Sequence, residues 1–356
     1  MKKRILISET GGTLTRNVIA SLRKSKEQYY IIGITSHPYE IALSNADESY
    51  LVPDARDKAF IPVVNHIAKK TKAQFLHSQH DAVIKVLANN TDRLVVPTFF
   101  PKKETVNACV DKFKSYKLWE SAGVPVARSM EISTPEDLKR AFKLFGKTIW
   151  IRLKEGGGGA GSLPTSDYSF AKIWIEHFKG WGKFIASEQL SPDSVTWSSI
   201  WKNGKLIVAQ SRKRLYWLFG NRTISGVTGV TGAAVTVRDR KVDELARRAI
   251  LAVDPKPDGI FSVDMTYDLQ GKLRATEINI GRFFTTIHFF TEAGLNMPDI
   301  FVRLAFGEKL PYIARPVNPL PPGLVWVRGM DSRPVLTKDS VIERYKTELA
   351  RMKRGI

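Results

Sequence analysis

The sequence predicts a two-part fold: an α/β, Rossmann-like front, then an α+β remainder that is mostly antiparallel. Three observations carry this reading. Apolar runs of strand length alternate with helically spaced ones over roughly the first 110 residues. After Gly146 the pattern becomes a succession of strand-length runs. Asn203-Gly204, a two-residue hairpin signal, joins two of those runs.

The elements follow in chain order. Residues 4–7 form a short apolar strand ended by Gly11-Gly12, and residues 15–23 carry Val18, Ile19 and Leu22 at helical spacing. Strands are expected at 30–34, 74–76 and 94–96, with helices at 60–68 and 81–87 between them. Strands that alternate with helices imply a parallel sheet, because parallel neighbours need crossover connections. Two helical patterns between 110 and 145 are separated by Gly123-Val124-Pro125. Thr134-Pro135-Glu136 opens the second with a cap, a proline at the first position and an acid in the first turn. Strands follow at 148–153, 183–188, 195–201, 206–211 and 261–267. The Pro-rich run 315–322 reads as a linker, and 339–354 as a basic helical tail with an apolar stripe of Val341, Ile342, Tyr345 and Leu349. Four units are expected: 1–110, 111–190, 191–314 and 315–356.

Composition limits the function. The 356 residues are 43% hydrophobic and 25% charged, which suits a packed core and excludes wholesale disorder. A net charge of +20 favours anionic ligands without choosing a fold. Cys109 is the only cysteine, so a disulfide framework, a cysteine-rich zinc site and an iron–sulfur cluster are excluded. The longest apolar stretches are strand-length, far short of the ~20 residues of a membrane helix. Glu9 and Gly11-Gly12 interrupt the apolar run behind Lys2-Lys3-Arg4, unlike a signal peptide. A cytoplasmic protein without a membrane partner is expected. No nucleic-acid-binding motif accompanies the charge, so it alone supports that class.

Two motifs carry chemistry. In the first, a strand delivers Arg152 and Lys154 into a loop with glycine at 156, 157, 158, 159 and 161. Glycine lets backbone N–H groups approach anionic oxygens with no Cβ in the way, so the loop suits phosphate. In the second, Ser262-Val263-Asp264 and Glu277-Ile278-Asn279 flank a turn at Gln270-Gly271. A hairpin would set Asp264 beside Glu277, and Glu277 and Asn279 would share a face. Two carboxylates and an amide oxygen form a hard-oxygen set suited to Mg²⁺ held jointly with phosphates.

These motifs, in this order, resemble the ATP-grasp superfamily, specifically its carbamoyl-phosphate-synthase-like branch. The resemblance runs from about residue 4 to residue 308. Asp111-Lys112-Phe113, Leu118 and Gly123-Val124-Pro125-Val126 are similar to that branch's D-K…L…G-x-P-x-P segment. Arg152 with Gly158-Gly159-Ala160-Gly161 matches its R…G-G-x-G spacing, and Glu277-Ile278-Asn279 its E-[IV]-N-P-R motif. The resemblance implies a pre-ATP-grasp Rossmann-like domain, a small central subdomain and a C-terminal antiparallel ATP-grasp subdomain. It implies that Lys112, Arg152, Lys154 and the loop glycines Gly158, Gly159 and Gly161 meet the ATP phosphates. Glu188, Gln189 and Leu190 would form the adenine hinge, and Asp193 would take the ribose. Asp264, Glu277 and Asn279 would hold one or two Mg²⁺ ions, with Mn²⁺ as a substitute. Arg282, Arg212 and Arg214 would face the phosphoryl acceptor. The implied reaction is ligation: ATP phosphorylates a small anionic carboxylate, and an amine or ammonia attacks the acyl phosphate.

The sequence departs from the branch at three places. Asn279-Ile280-Gly281-Arg282 lacks the proline and displaces the arginine by one position. Asp264 stands where the branch writes Glu or Gln, and only Asp193 serves as an acid beyond the hinge. Two function classes therefore stay open, a carboxylate–amine ligase and a regulator that binds ATP without turnover; a carbamoyl-phosphate-forming enzyme is a lesser alternative. The tail's apolar stripe is compatible with docking on the body or in a homodimer. His77, His80 and Asp81 follow a Rossmann strand at its carboxyl end, where ligands collect. His288 and Cys109 read as packed side chains.

Overall fold

A computed structural model describes residues 2–330 and 338–355. The part of the expected linker and tail at 331–337 lies outside the described residues, as do Met1 and Ile356.

The front contains β1 (Lys3–Ser8), α1 (Thr13–Arg23), β2 (Tyr29–Thr35), β3 (Glu48–Leu51), α2 (Phe60–Thr71), β4 (Phe75–His77) and α3 (Asp81–Ala88). The strands form a parallel sheet in the order β3-β2-β1-β4. Ile5, Leu6, Ile7, Ile31, Ile32 and Ile34 are all buried, as expected where helices cover both faces. The expected strand at 94–96 is not one. Leu76 N donates to Pro97 O at 2.9 Å and Thr98 makes an isolated bridge to Leu76, but Pro97 has no N–H to extend a ladder. Conversely, β3 gave no sequence signal. Its Glu-Ser-Tyr-Leu is too polar to stand out and pairs at the sheet edge.

Next come α4 (Lys103–Val110), α5 (Lys112–Ser121), β5 (Ser129–Ile132), α6 (Pro135–Phe145), β6 (Ile149–Leu153), β7 (Leu163–Thr165), α7 (Tyr168–His177) and β8 (Phe184–Glu188). Thr134 starts α6 with a complete capping box closed by Asp137. The strands pair antiparallel in the order β5-β8-β6-β7. Ile132, Ile149, Ile151, Phe184 and Ala186 face α6 and α7 in a small core. The alternation of a strand sends Glu131, Arg152, Lys154 and Ser187 to the other face.

The largest sheet is built from β9 (Ser194–Lys202), β10 (Lys205–Trp217), β11 (Thr231–Val237), β12 (Gly259–Tyr267) and β13 (Leu273–Ile280), with α8 (Arg240–Val253) packed on it. After α9 (His288–Glu292) and α10 (Met297–Ala305), β14 (Val325–Val327) completes the order β13-β12-β9-β10-β11-β14. Val195, Trp197 and Trp201 pack in one core with Val242, Ala246 and Ile250 of α8. The opposite face is polar. Arg212, Thr196, Asp264 and Glu277 form one cross-strand row, and Gln210, Ser198, Ser262 and Asn279 the row beside it.

The Pro-rich run at 315–322 is packed rather than free. Asn318 is 2% exposed, accepts from Ser211 N at 2.8 Å and donates to Asp243. The tail forms α11 (Asp339–Arg354), whose apolar stripe docks on its own chain. Ile342 packs with Ile41 and Leu51, and Met352 joins the core of the front sheet. Lys70–Glu348 at 3.0 Å and Lys353–Asp57 at 2.8 Å flank the contact. Among the described residues no helix is long and apolar enough to cross a membrane.

Candidate active site

The polar faces of the two antiparallel sheets meet at one hairpin. Asp264 and Glu277 lie directly opposite each other on β12 and β13, as the sequence predicts. The register shifts immediately beyond them, leaving Thr276 as the extra residue of a bulge. Its hydroxyl donates to Asp264 O at 2.9 Å, and its carbonyl accepts from Arg152 Nη2 at 3.0 Å. The bulge thus ties the hairpin to the facing sheet. Asp264 accepts from Thr196 Oγ1 at 2.5 Å and from Asn279 Nδ2 at 3.0 Å. The oxygen donors here are two carboxylates and one amide; among the described residues no three His, Cys, Asp or Glu gather as a metal-binding group.

Cations surround Glu277. Arg152 Nη1 is 3.6 Å and Lys112 Nζ 3.8 Å from its Oε2. Asp111 caps α5 through Phe113 N and Lys114 N, which sets Lys112 at the helix start. Lys112 Nζ also donates to Gly156 O at 2.5 Å. Burial pushes its pKa below the usual lysine range, while Glu277 opposes that shift. Arg152 Nε is buried without a partner among the described residues, a donor still available to an anion.

The glycine loop is folded down over this cluster. A Cβ on Gly159, whose φ is +74°, would stand 2.7 Å from Val227 O. A Cβ on Gly229 would meet Gly158 Cα at 2.5 Å. The glycine loop and the 218–230 segment therefore interlock backbone to backbone, which no larger residue permits. Lys85 of α3 closes the arrangement from the front domain, with its Nζ 3.0 and 2.9 Å from the Glu155 carboxylate oxygens. A cavity of about 30 Å³ remains, lined by Asp81, Lys112, Gly156, Gly157, Glu277 and Asn279. That is room for an ion or a water between the loop and the hairpin.

The other expected site residues are placed as follows. Lys154 pairs with Glu131 across the small sheet. Glu188 ends β8 with its carboxylate committed to Arg128, accepting from the backbone N and from Nε at 2.9 Å each. Gln189 is exposed and Leu190 half-buried just beyond it. Asp193 pairs with Lys213 at 2.8 Å. Arg214 Nη2 is 3.9 Å from Asp264 Oδ1, and Arg212 is fully buried beside it. Arg282 turns to Asp81 in a two-pronged pair, Nε to Oδ1 at 2.5 Å and Nη2 to Oδ2 at 2.9 Å, and also donates to Asn279 Oδ1.

Comparison with known proteins bears on the fold. Residues 5–96 match the family described as PylC-like, N-terminal domain. N5-carboxyaminoimidazole synthetase from Staphylococcus aureus superposes with a TM-score of 0.64 at 16% identity, over 87% of this chain and 79% of that one. The biotin carboxylase–ATP complex from Campylobacter jejuni gives 0.67 at 17% identity, over 88% and 72%. The chain has the ATP-grasp fold. L-amino acid ligase from Bacillus licheniformis shares it, with a TM-score of 0.65 at 12% identity, over 85% and 74%. In sequence, a pyruvate carboxylase polypeptide of Methanothermobacter thermautotrophicus is 28% identical over 127 residues, 35% of this chain. That match spans 24% of the relative's length.

Within this ATP-grasp fold, two contacts come from the front domain. Asp81 had a sequence signal, its place after a Rossmann strand, but not its partner. Lys85–Glu155 had none, because a surface lysine on a helix looks like any other. The pair is more than a third exposed on both sides, so it is worth at most about 1 kcal/mol. On the nucleotide-binding reading proposed below, Lys85→Met is expected to weaken that binding about two- to fivefold by calorimetry. Unchanged affinity would show that the glycine interlock alone holds the loop. Asp81→Asn keeps a hydrogen-bond acceptor for Arg282 but removes the charge. Burial alone would raise the Asp81 carboxyl; Arg282 outweighs it and holds the pKa below the usual range. The pair therefore stabilises the fold above the unfolded aspartate pKa, and that contribution is lost as pH falls below about 4. On the ligase reading proposed below, Asp81→Asn is expected to lower kcat about tenfold with nucleotide affinity retained, because Arg282 then leans toward Asn279. Equal losses in both would assign Asp81 to nucleotide binding instead.

Proposed function

We infer that this protein is an ATP- and Mg²⁺-dependent ligase that activates a carboxylate as an acyl phosphate. An amine or ammonia then attacks, and ADP and phosphate leave. The observation that supports this most is the cross-strand pair Asp264–Glu277, with Asn279 beside it, facing Arg152, Lys112 and the glycine loop.

The hard-oxygen set of Asp264, Glu277 and Asn279 fits Mg²⁺, with Mn²⁺ as a substitute. A metal ion held by these residues would supply charge neutralisation on the transferring phosphoryl group. Arg152, Lys112 and Lys154 take the phosphates, and Gly158, Gly159 and Gly161 close over them and exclude water. Glu188, Gln189 and Leu190 form the adenine hinge, and Asp193 releases Lys213 to meet the ribose. Arg214 and Arg282 flank the metal donors and orient the acceptor carboxylate, with Arg212 behind them. The division into 1–110, 111–190, 191–314 and 315–356 belongs to the same proposal.

The test is Mg²⁺-dependent ADP release with pooled carboxylic acids, with and without pooled amines and ammonia. Release that needs both an acid pool and an amine pool supports the ligase. Nucleotide binding with no release from any pool favours a regulator that binds ATP without turnover.

A further inference from the structure

The polar face of the large sheet carries two neighbouring guanidiniums, of which only one reaches a carboxylate. Arg212 and Arg214 are two apart on β10 and so share that face. They also share an acceptor: Arg212 Nη1 and Arg214 Nε each donate to Thr231 Oγ1 at 3.2 Å. Arg214 reaches on toward Asp264. Arg212 does not. It is 2% exposed, its guanidinium lies 4.2 Å over the Phe284 ring, and its Nε has no partner among the described residues. The charges that act on it are Arg214 and Arg328, both cations, and Asp264. Asp264 already accepts from Thr196 and Asn279.

A guanidinium held this way is poorly compensated. One neutral hydroxyl and a ring face do not replace the water it loses, a loss of several kcal/mol per ion. Burial, then the neighbouring Arg214, pushes its pKa down to about 9. Its unused planar edge matches a carboxylate or a phosphate. We propose that Arg212, with Arg214 and Thr231, forms a second anion seat, so that the substrate carries a carboxylate or phosphate besides the carboxylate that is activated.

The seat has a route of entry. Thr231 directly follows the 218–230 segment that interlocks with the glycine loop, and Phe219 and Ile224 on that segment are exposed. On this proposal the interlock opens to admit the anion beside Thr231 and the two guanidiniums. An acid with a single carboxylate leaves Arg212 unpaired on closure, whereas a dianionic acid pairs it. The seat therefore selects substrates by their far end.

The proposal rests on the ligase reading only for the reacting end; anion binding is read without turnover. With Mg·ADP present to fill the nucleotide phosphate sites, the full chain is titrated with succinate, glutarate and inorganic phosphate. Acetate and butyrate at matched ionic strength serve as controls, with calorimetry and thermal unfolding as readouts. Diacids or phosphate are expected to bind at least about tenfold tighter than monoacids. Arg212→Met and, separately, Thr231→Val are expected to erase that preference. Preference for diacids points to a second carboxylate, and preference for phosphate to a phosphate ester. Equal binding of mono- and dianions by the wild type, or binding of neither, overturns the seat, and this outcome needs no variant. A preference that survives both substitutions overturns it too. Preference without ADP release from any acid would sink the ligase and leave the seat standing; release from monoacids without preference would do the reverse.

Discussion

Glu277→Gln is expected to lower Mg²⁺-dependent ADP release by at least about 10²-fold. Gln keeps the shape and one oxygen donor, so the β12–β13 pairing should survive. What goes is a charge that a divalent cation needs, in a site where Asp264 carries the directly facing carboxylate and Asn279 an amide oxygen beside it. The same change leaves Arg152 and Lys112 without the carboxylate 3.6 and 3.8 Å away. Those cations are then freer to hold phosphate, so nucleotide binding without metal should hold or tighten while turnover collapses. Calorimetry with and without Mg²⁺, set beside the ADP-release rate, separates the two effects. A variant that turns over within tenfold of wild type would remove Glu277 from the metal set.

Acid should destabilise the fold through His77, by about 3–5 kcal/mol between neutral pH and pH 3. His77 is fully buried, stacked with Phe75 and Phe100 and tilted 4.8 Å from Phe301. The Gln79 amide donates to its Nε2, and Gln79 Oε1 is held by Phe283 N at 3.0 Å. A proton on Nε2 would face a donor that cannot turn away, and no counter-charge among the described residues sits in the ring cage. Burial pushes the His77 pKa down to about 3. The folded value is below the unfolded value near 6.5, so the unfolded chain binds the proton first. Stability is full above about pH 6.5 and falls as pH drops toward 3. Denaturant midpoints for wild type and His77→Leu should diverge between pH 6.5 and 5, before most carboxylates titrate. Parallel curves would mean that other groups carry the acid response.

Much of this protein is legible locally. The Asp264–Glu277 register follows from two alternating runs and a turn, and the structure places them opposite each other. The α6 cap follows from Thr134-Pro135-Glu136-Asp137, because a capping box needs only residues within one turn. The glycine loop is visible because backbone clearance requires its composition.

What sequence alone determined is whatever neighbours along the chain enforce: strand alternation, caps, the hairpin, the glycine loop and the absence of disulfides. Tertiary structure decided the rest. The strand expected at 94–96 failed because pairing depends on a partner's free N–H groups, and Pro97 offers none. Packing alone anchored 315–322 through buried Asn318 and Leu320 and seated α11 on its own chain. The Arg282–Asp81 pair joins residues 201 apart, and Gly158 meets Gly229 across two loops. Those contacts depend on how sheets face one another, and a side chain's charge or size does not encode the distant group it will meet. Arg212 shows the difference most clearly. Its sequence neighbours made it one cation among many, and only burial beside Phe284 and Arg214 left it in need of an anion.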